Sequence, residues 1–248
     1  MNDAGVGKGS CRSRGGGEMI TRDVIILANS RKYSGHCIAG KDLKTREWVR
    51  LINNKVDQQK NPIPFTPADL KALYGDTNGP KLLQCIRVPF NKKCSIYCQP
   101  ENEEITGAKW EILGRILPKD LHKIEDRMNP DWIGKPGIGA SDSIPYRECN
   151  PQKPLSCSLF LTKLSKKDHD AEILHTTSAR GTRQHRLKFT INQLTYSLVI
   201  TDLHYEQDLP EGILEKNNSS VYATIGVGQI YPRMMAHYKL VVGFIPMN

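Results

Sequence analysis

Short β-type runs separated by polar turns recur along the chain and constrain its fold more than any other feature. The stretch Val24–Asn53 holds apolar runs at 24–28, 36–40 and 48–52, which predict three short strands joined by turns. Helices are predicted only at 66–74, where Thr66 suits the N-cap and Pro67 the first turn, and at 117–127. The predicted fold class is therefore all-β with minor helices.

Further strand-like runs occur in both halves of the chain. The second half holds five, and the tight turn at Asn192-Gln193 joins two of them into a hairpin, so this half predicts a small antiparallel barrel or sandwich. The predicted strands are 82–89, 94–98, 110–113, 155–164, 186–191, 196–202, 221–227 and 238–245.

Composition divides the chain into two domains. Residues 129–154 carry five prolines and three glycines without periodicity, which is typical of a domain junction. Residues 1–18 are rich in glycine and nearly devoid of apolar side chains, so we expect a disordered tail. The predicted domains are then 19–128 and 155–248.

Charge and cysteine content narrow the class of protein. The 248 residues carry a net charge of +9, which favours polyanionic partners but is also compatible with a surface that only maintains solubility. No run approaches the roughly 18 apolar residues of a membrane helix, and the N-terminus lacks the apolar core of a signal peptide, so we expect a cytoplasmic protein that does not enter a membrane. Seven irregularly spaced cysteines indicate reduced thiols.

The order of several strand motifs resembles a known family. ILANSRKYSGHCIAG at 26–40, WEILG at 110–114, LSCSL at 155–159, YSLVITD at 196–202 and YKLVVGFI at 238–245 look like the bacterial proteins that carry a dual OB-containing domain. The resemblance spans roughly 21–245 and implies two tandem five-stranded OB-like β-barrels, the first interrupted by the helical segments. It brings no established catalytic residues, and its nucleic-acid role is an analogy from the OB fold.

An OB barrel that binds a single strand needs cations for phosphates and aromatic faces for bases. Arg31, Lys32 and Tyr33 supply both in one turn, and His36 follows. Trp48 and Arg50 share one face of a predicted strand, so a ring and a guanidinium group could project side by side toward a ligand. The alternative is that Trp48 lies in the core and Arg50 covers it.

The densest basic segment lies in the second half. Gly181 would let its backbone approach a phosphate closely, and Phe189 is expected to point inward. The alternative is an ordinary solvated loop and strand edge. The candidate binding residues here are Arg180, Arg183, His185, Arg186 and Lys188.

Signals for metal binding or catalysis are weak. The spacing of Cys94 and Cys98 is tolerable for zinc, but no second pair completes a ligand set, so we expect no metal and no cofactor. Asp202 either orients His204 or forms a turn at the end of its strand.

The sequence therefore predicts a non-enzymatic protein that binds single-stranded DNA or RNA through a basic groove. The alternatives are a protein-interaction module that docks a partner nuclease or helicase, and an enzyme acting on nucleotides, which several titratable groups converging in one pocket would favour.

Overall fold

The structure is a computed structural model that describes residues 20–32, 34–57, 61–133, 141–178, 181–206, 209–210 and 212–247. Strands dominate these residues, and no helix among them is long and apolar enough to cross a membrane. The strands are β1 (Ile20–Lys32), β2 (Gly35–Asp42), β3 (Trp48–Ile52), β4 (Gln84–Lys93), β5 (Asn102–Ile105), β6 (Glu111–Arg115), β7 (Ser143–Pro145), β8 (Leu159–Ser165), β9 (Glu172–Thr177), β10 (Arg183–Ile191), β11 (Leu194–Val199), β12 (Ser220–Tyr231) and β13 (Ala236–Met247). The helices are α1 (Pro67–Leu73) and α2 (Lys166–His169), with 3₁₀ helices at Pro118–Lys123 and Tyr146–Glu148.

The first unit is a closed barrel of five strands. Its order is β1-β2-β3-β5-β4, and β4 pairs again with β1 to close the ring. All pairs are antiparallel except β3 with β5. β1 reaches both neighbours because it is 13 residues long and bends at a bulge between Ile26 and Ala28. The helix α1 lies in the β3–β4 connection, and β6 adds to the free edge of β4.

The second unit repeats this order as a curled half-barrel. In the first barrel, β1 alone pairs with both of its neighbours. In the second unit this role is divided between the two strands that flank α2: β8 pairs with β12, and β9 pairs with β10. β10 continues to β11, and a parallel bridge between Ile200 and Val241 connects that edge to β13. The resulting order, β8/β9-β10-β11-β13-β12, matches that of the first barrel, so the chain consists of tandem OB-like units.

The two units pack directly on each other. Gly243 of β13 lies so close to β1 that a Cβ atom there would stand 2.0 Å from the carbonyl oxygen of Leu27. The Thr224 hydroxyl donates a hydrogen bond of 2.7 Å to that same oxygen. Ile25 and Leu27 form one apolar cluster with Leu161 and other residues of the second unit. The barrels therefore share a core in addition to their own.

Most sequence-predicted elements are confirmed. Thr66 caps α1 with a full capping box. The hairpin turn at Asn192 and Gln193 has positive φ at both residues, 50° and 63°, as a tight two-residue turn requires. The all-β class with minor helices and the tandem OB-like organisation are likewise confirmed.

Three segments differ from the prediction. The strand predicted at 94–98 is wrong, because that segment turns back through a bridge between Ile96 and Gln99. The next strand is β5, which was not predicted because its residues, NEEI, are mostly polar. The helix predicted at 117–127 is a shorter 3₁₀ helix. β9 was not predicted, because only two of its six residues, Ile173 and Leu174, interrupt an otherwise polar run.

The described part of the proline-rich segment 129–154 packs onto the second unit. Trp132, Ile133, Ile144 and Cys149 lie in its core, and β7 pairs with β13. The residues predicted as a tail, 1–18, lie outside the described part of the chain.

Candidate nucleic-acid interface

The face of the first barrel formed by β2 and β3 is covered by the second unit. OB barrels commonly bind ligands on this face, between the loops that join strands 1 to 2 and 4 to 5. Ala39 of β2 is buried against Leu159 and Val242. In the loop between β4 and β5, Cys98 enters the core of the second unit, and the Gln99 side-chain amide donates to the Val227 carbonyl at 3.1 Å. This face is therefore an interface between the barrels.

Arg50 and Trp48 belong to that interface. Arg50 is only 9% exposed, and its Nη2 donates to the Ser158 hydroxyl at 2.9 Å. The Trp48 indole N–H donates to Asp126 at 3.0 Å, and Lys41 stands 5.1 Å from the centre of its ring. These contacts hold both side chains at the interface between the barrels.

The connection between β1 and β2 also faces the second unit. Arg31 forms a 2.5 Å ion pair with Glu206, and Lys32 donates to Gln229 at 2.5 Å. His36 is buried, and its Nδ1 lies 3.1 Å from the Asn29 side-chain oxygen. Burial, and secondly the Arg31 charge, lower the pKa of His36. Tyr33 lies outside the described residues. Of these side chains, Arg31 and His36 line a cleft between the barrels.

The corresponding face of the second unit, on β9, β10 and β11, remains partly exposed. Along β10 the residues alternate: Leu187 and Phe189 are fully buried, whereas Arg186, Lys188 and Thr190 are half-buried on the outer side. Phe189 stacks on Tyr196 with 5.3 Å between the ring centres, which confirms that it points inward.

The cations of this face have carboxylate neighbours. Arg186 bonds Asp142 at 3.0 Å and the Ser197 hydroxyl at 3.1 Å. Lys188 bonds Glu172 at 2.6 Å, and this hydrogen bond raises the pKa of Lys188. Arg183 is exposed at the start of β10. Asp170 also acts on Lys188, so the three cations of this face have at least three carboxylates near them.

The two remaining candidates of the basic segment differ in position. His185 faces inward at 1% exposure, with its Nδ1 2.9 Å from Nδ1 of His175, so it does not reach the outer face. Arg180 lies outside the described residues.

Sequence analysis missed one exposed element beside this face. The turn between β12 and β13 corresponds to the loop between strands 4 and 5 of an OB barrel, and it exposes Tyr231, Arg233, Met234 and Met235. The signal was present, since a cation and two methionines follow Tyr231-Pro232 between two predicted strands. The turn offers an aromatic ring and a cation at the edge of the half-barrel.

The residues considered for metal and acid–base chemistry have structural roles. Among the described residues no group of three or more His, Cys, Asp or Glu side chains is arranged to hold a metal ion. Burial raises the pKa of Cys98 to about 12. Asp202 accepts the backbone N–H groups of His204 and Phe244, each at 2.9 Å, which confirms its role as a turn former.

A sequence profile described as a dual OB-containing domain matches residues 22–244, nearly the whole chain. The chain belongs to this dual OB-containing family. The dual OB-containing chain matches no curated protein. Among solved structures it is similar to the Ifi202 HINa domain, crystallised in complex with 20 bp dsDNA, at 10% identity over 85% of each chain and with a TM-score of 0.33.

Proposed function

We propose that this dual OB-containing protein is a non-enzymatic nucleic-acid-binding protein that holds a single strand on the outer face of β9, β10 and β11. One observation carries the proposal: the ligand face of the first barrel is buried under the second unit, whereas the same face of the second unit stays partly exposed and carries Arg186 and Lys188. Only the second unit therefore offers a strand the surface that OB barrels use.

The proposed contacts follow from the chemistry of this surface. Arg183, Arg186 and Lys188 neutralise phosphates, with Arg186 and Lys188 exchanging their carboxylate partners for phosphate oxygens. Tyr231 and Arg233, in the turn between β12 and β13, lie at the edge of the path, and the ring of Tyr231 stacks on a base. Sequence preference is slight, because stacking and phosphate contacts are shared by all bases.

Fluorescence anisotropy tests this proposal with labelled single-stranded DNA, single-stranded RNA and duplex DNA, from low to physiological salt. The variant Arg183→Ala/Arg233→Ala removes two exposed cations beside the face. Its matched control, Lys109→Ala/Lys119→Ala, removes two exposed cations of the first unit. The slope of log K against log salt is expected to become shallower by about 1.4 in the first variant, since each phosphate contact on a single strand contributes about 0.7.

If the salt slope is unchanged in Arg183→Ala/Arg233→Ala, or changes equally in the control, then this face is not the binding site. Weak binding to all three polymers that disappears with salt would mean that the charge excess is generic, and would favour the protein-docking alternative.

A further inference from the structure

One cavity lies between the two barrels and belongs to neither alone. Its volume is about 630 Å³, within the range of small-molecule sites. The first unit contributes the β1–β2 connection and the segment 77–83, and the second unit contributes 202–205 with Phe244 and Ile245. The cleft thus depends on the two units holding their relative position.

The backbone fixes that position at the floor of the cleft. Ser30 and Asp202 form an antiparallel bridge, and the Arg31 N–H donates to the Thr201 carbonyl at 2.9 Å. The Leu203 N–H donates to the Asn29 carbonyl at 3.1 Å. Since these bonds join main chain to main chain, the cleft is preformed.

The polar floor has a defined hydrogen-bonding direction. The Asn29 amide nitrogen donates to the carbonyls of Asn78 and Pro80, both at 3.0 Å, so its oxygen must face His36. That oxygen can only accept, and Nδ1 of His36 therefore carries the proton. Because burial and Arg31 keep the pKa of His36 low, the ring is neutral near pH 7 and its Nε2 is an acceptor. A ligand group that meets Nε2 has to be a donor.

One wall of the cleft is aromatic and apolar. Tyr205 packs edge-on against Phe244, with 5.4 Å between the ring centres, and His204 packs against Tyr205 at 4.6 Å. Leu82 and Leu83 of the first unit also line the cavity. Such a lining suits a flat ring.

The rim is cationic. Arg31, Lys81 and Arg115 line the cleft, whereas Asp202 is the carboxylate among the described lining residues. Both Asp202 oxygens accept backbone N–H groups, and burial raises the pKa of Asp202 to about 6. Arg31 has Glu206 as a partner, but Lys81 and Arg115 are exposed at the opening. The charge favours an anionic ligand.

We propose that the cleft between the barrels binds a phosphate monoester joined to a flat ring, as in a mononucleotide. The rim cations hold the phosphate, the aromatic wall packs on the ring, and a donor group of the ligand bonds Nε2 of His36. A phosphate monoester joined to a flat ring occurs both in a free mononucleotide and at the phosphorylated end of a strand. The experiment below distinguishes these two ligands.

Isothermal titration calorimetry of the full chain uses four mononucleotides, their nucleosides, inorganic phosphate, and a short oligonucleotide with and without a 5′-phosphate. A mononucleotide is expected to bind with a Kd below about 1 mM and at least about tenfold more tightly than its nucleoside. A strand end is identified as the source if the 5′-phosphorylated oligonucleotide binds more tightly than its own unphosphorylated form and more tightly than any mononucleotide.

Two variants locate the site. Lys81→Ala/Arg115→Ala removes the exposed rim cations, and is expected to weaken mononucleotide binding about tenfold or more. His36→Asn keeps a donor toward Asn29 but removes the Nε2 acceptor, and is expected to weaken binding of amino-bearing bases. Lys109→Ala/Lys119→Ala is the matched control, because these two exposed cations lie outside the cleft lining and outside the strand-binding face.

The proposal is overturned if no mononucleotide binds below about 1 mM, if nucleoside and nucleotide bind alike, or if the rim variant binds like the control. These results do not depend on the strand-binding face. Loss of anisotropy binding in Arg183→Ala/Arg233→Ala with intact calorimetric binding separates the two sites.

Discussion

Replacing Gly243 by alanine tests the packing of the two barrels. The added Cβ would stand 2.0 Å from the Leu27 carbonyl oxygen and 3.0 Å from its carbon, and both of these atoms are backbone. A side chain could rotate away, but Leu27 lies at the bulge of β1, and its backbone can move only as far as the flanking pairs of β1 with β2 and β4 allow. Overpacking of this kind costs about 1–3 kcal/mol, and we expect the upper end of that range here.

The measurement is urea denaturation followed by tryptophan fluorescence. Gly107→Ala is the matched control, since a Cβ at Gly107 meets no atom within 4 Å. We expect the control to be neutral or stabilised by up to about 1 kcal/mol through its unfolded state. Separation of the units in Gly243→Ala would also abolish the cleft between Asp202 and His36, so mononucleotide binding should fall with it. If Gly243→Ala and Gly107→Ala unfold at the same urea concentration with the same m-value, the close approach of β13 to β1 does not exist in solution.

Two further predictions concern pH and turn geometry. Burial raises the pKa of Asp202 from 3.8 to about 6. Between pH 4 and pH 6 this carboxyl is therefore deprotonated in the unfolded chain but still protonated in the folded protein. The free energy of unfolding should fall by about 3 kcal/mol as pH rises through that window. Asp202→Asn should lack this change, and parallel pH profiles of unfolding free energy for the two proteins would contradict the assignment. Gln193 has a φ of 63°, where glycine is favoured, so Gln193→Gly should stabilise the chain by about 0.5–1 kcal/mol in thermal unfolding, whereas Gln184→Gly within β10 should destabilise it.

The strand order was predictable from motif order, but the assignment of faces was not. Arg50 looked like a surface cation, yet it is buried because Ser158, 108 residues away, accepts its hydrogen bond and Glu101 in turn accepts from Ser158. Lys239 is likewise fully buried, with Asp142 nearby to offset its charge. Such pairs cannot be seen from local pattern, because neither partner lies near the other in the chain. β5 was missed for the same reason, as its Glu103 forms an ion pair with Arg22, 81 residues away in the chain.

One local signal nevertheless distinguishes a strand that is covered on both sides from a strand with one open side. The run Val24–Ala28 is apolar at every position, and the structure buries all five residues, which is typical of a strand covered on both sides. β10 instead alternates along RLKFTI, and the structure buries only every second residue there. A strand that alternates keeps one side open to solvent. The alternation along β10 therefore indicates an open outer side on that strand, which is where the strand-binding surface is proposed.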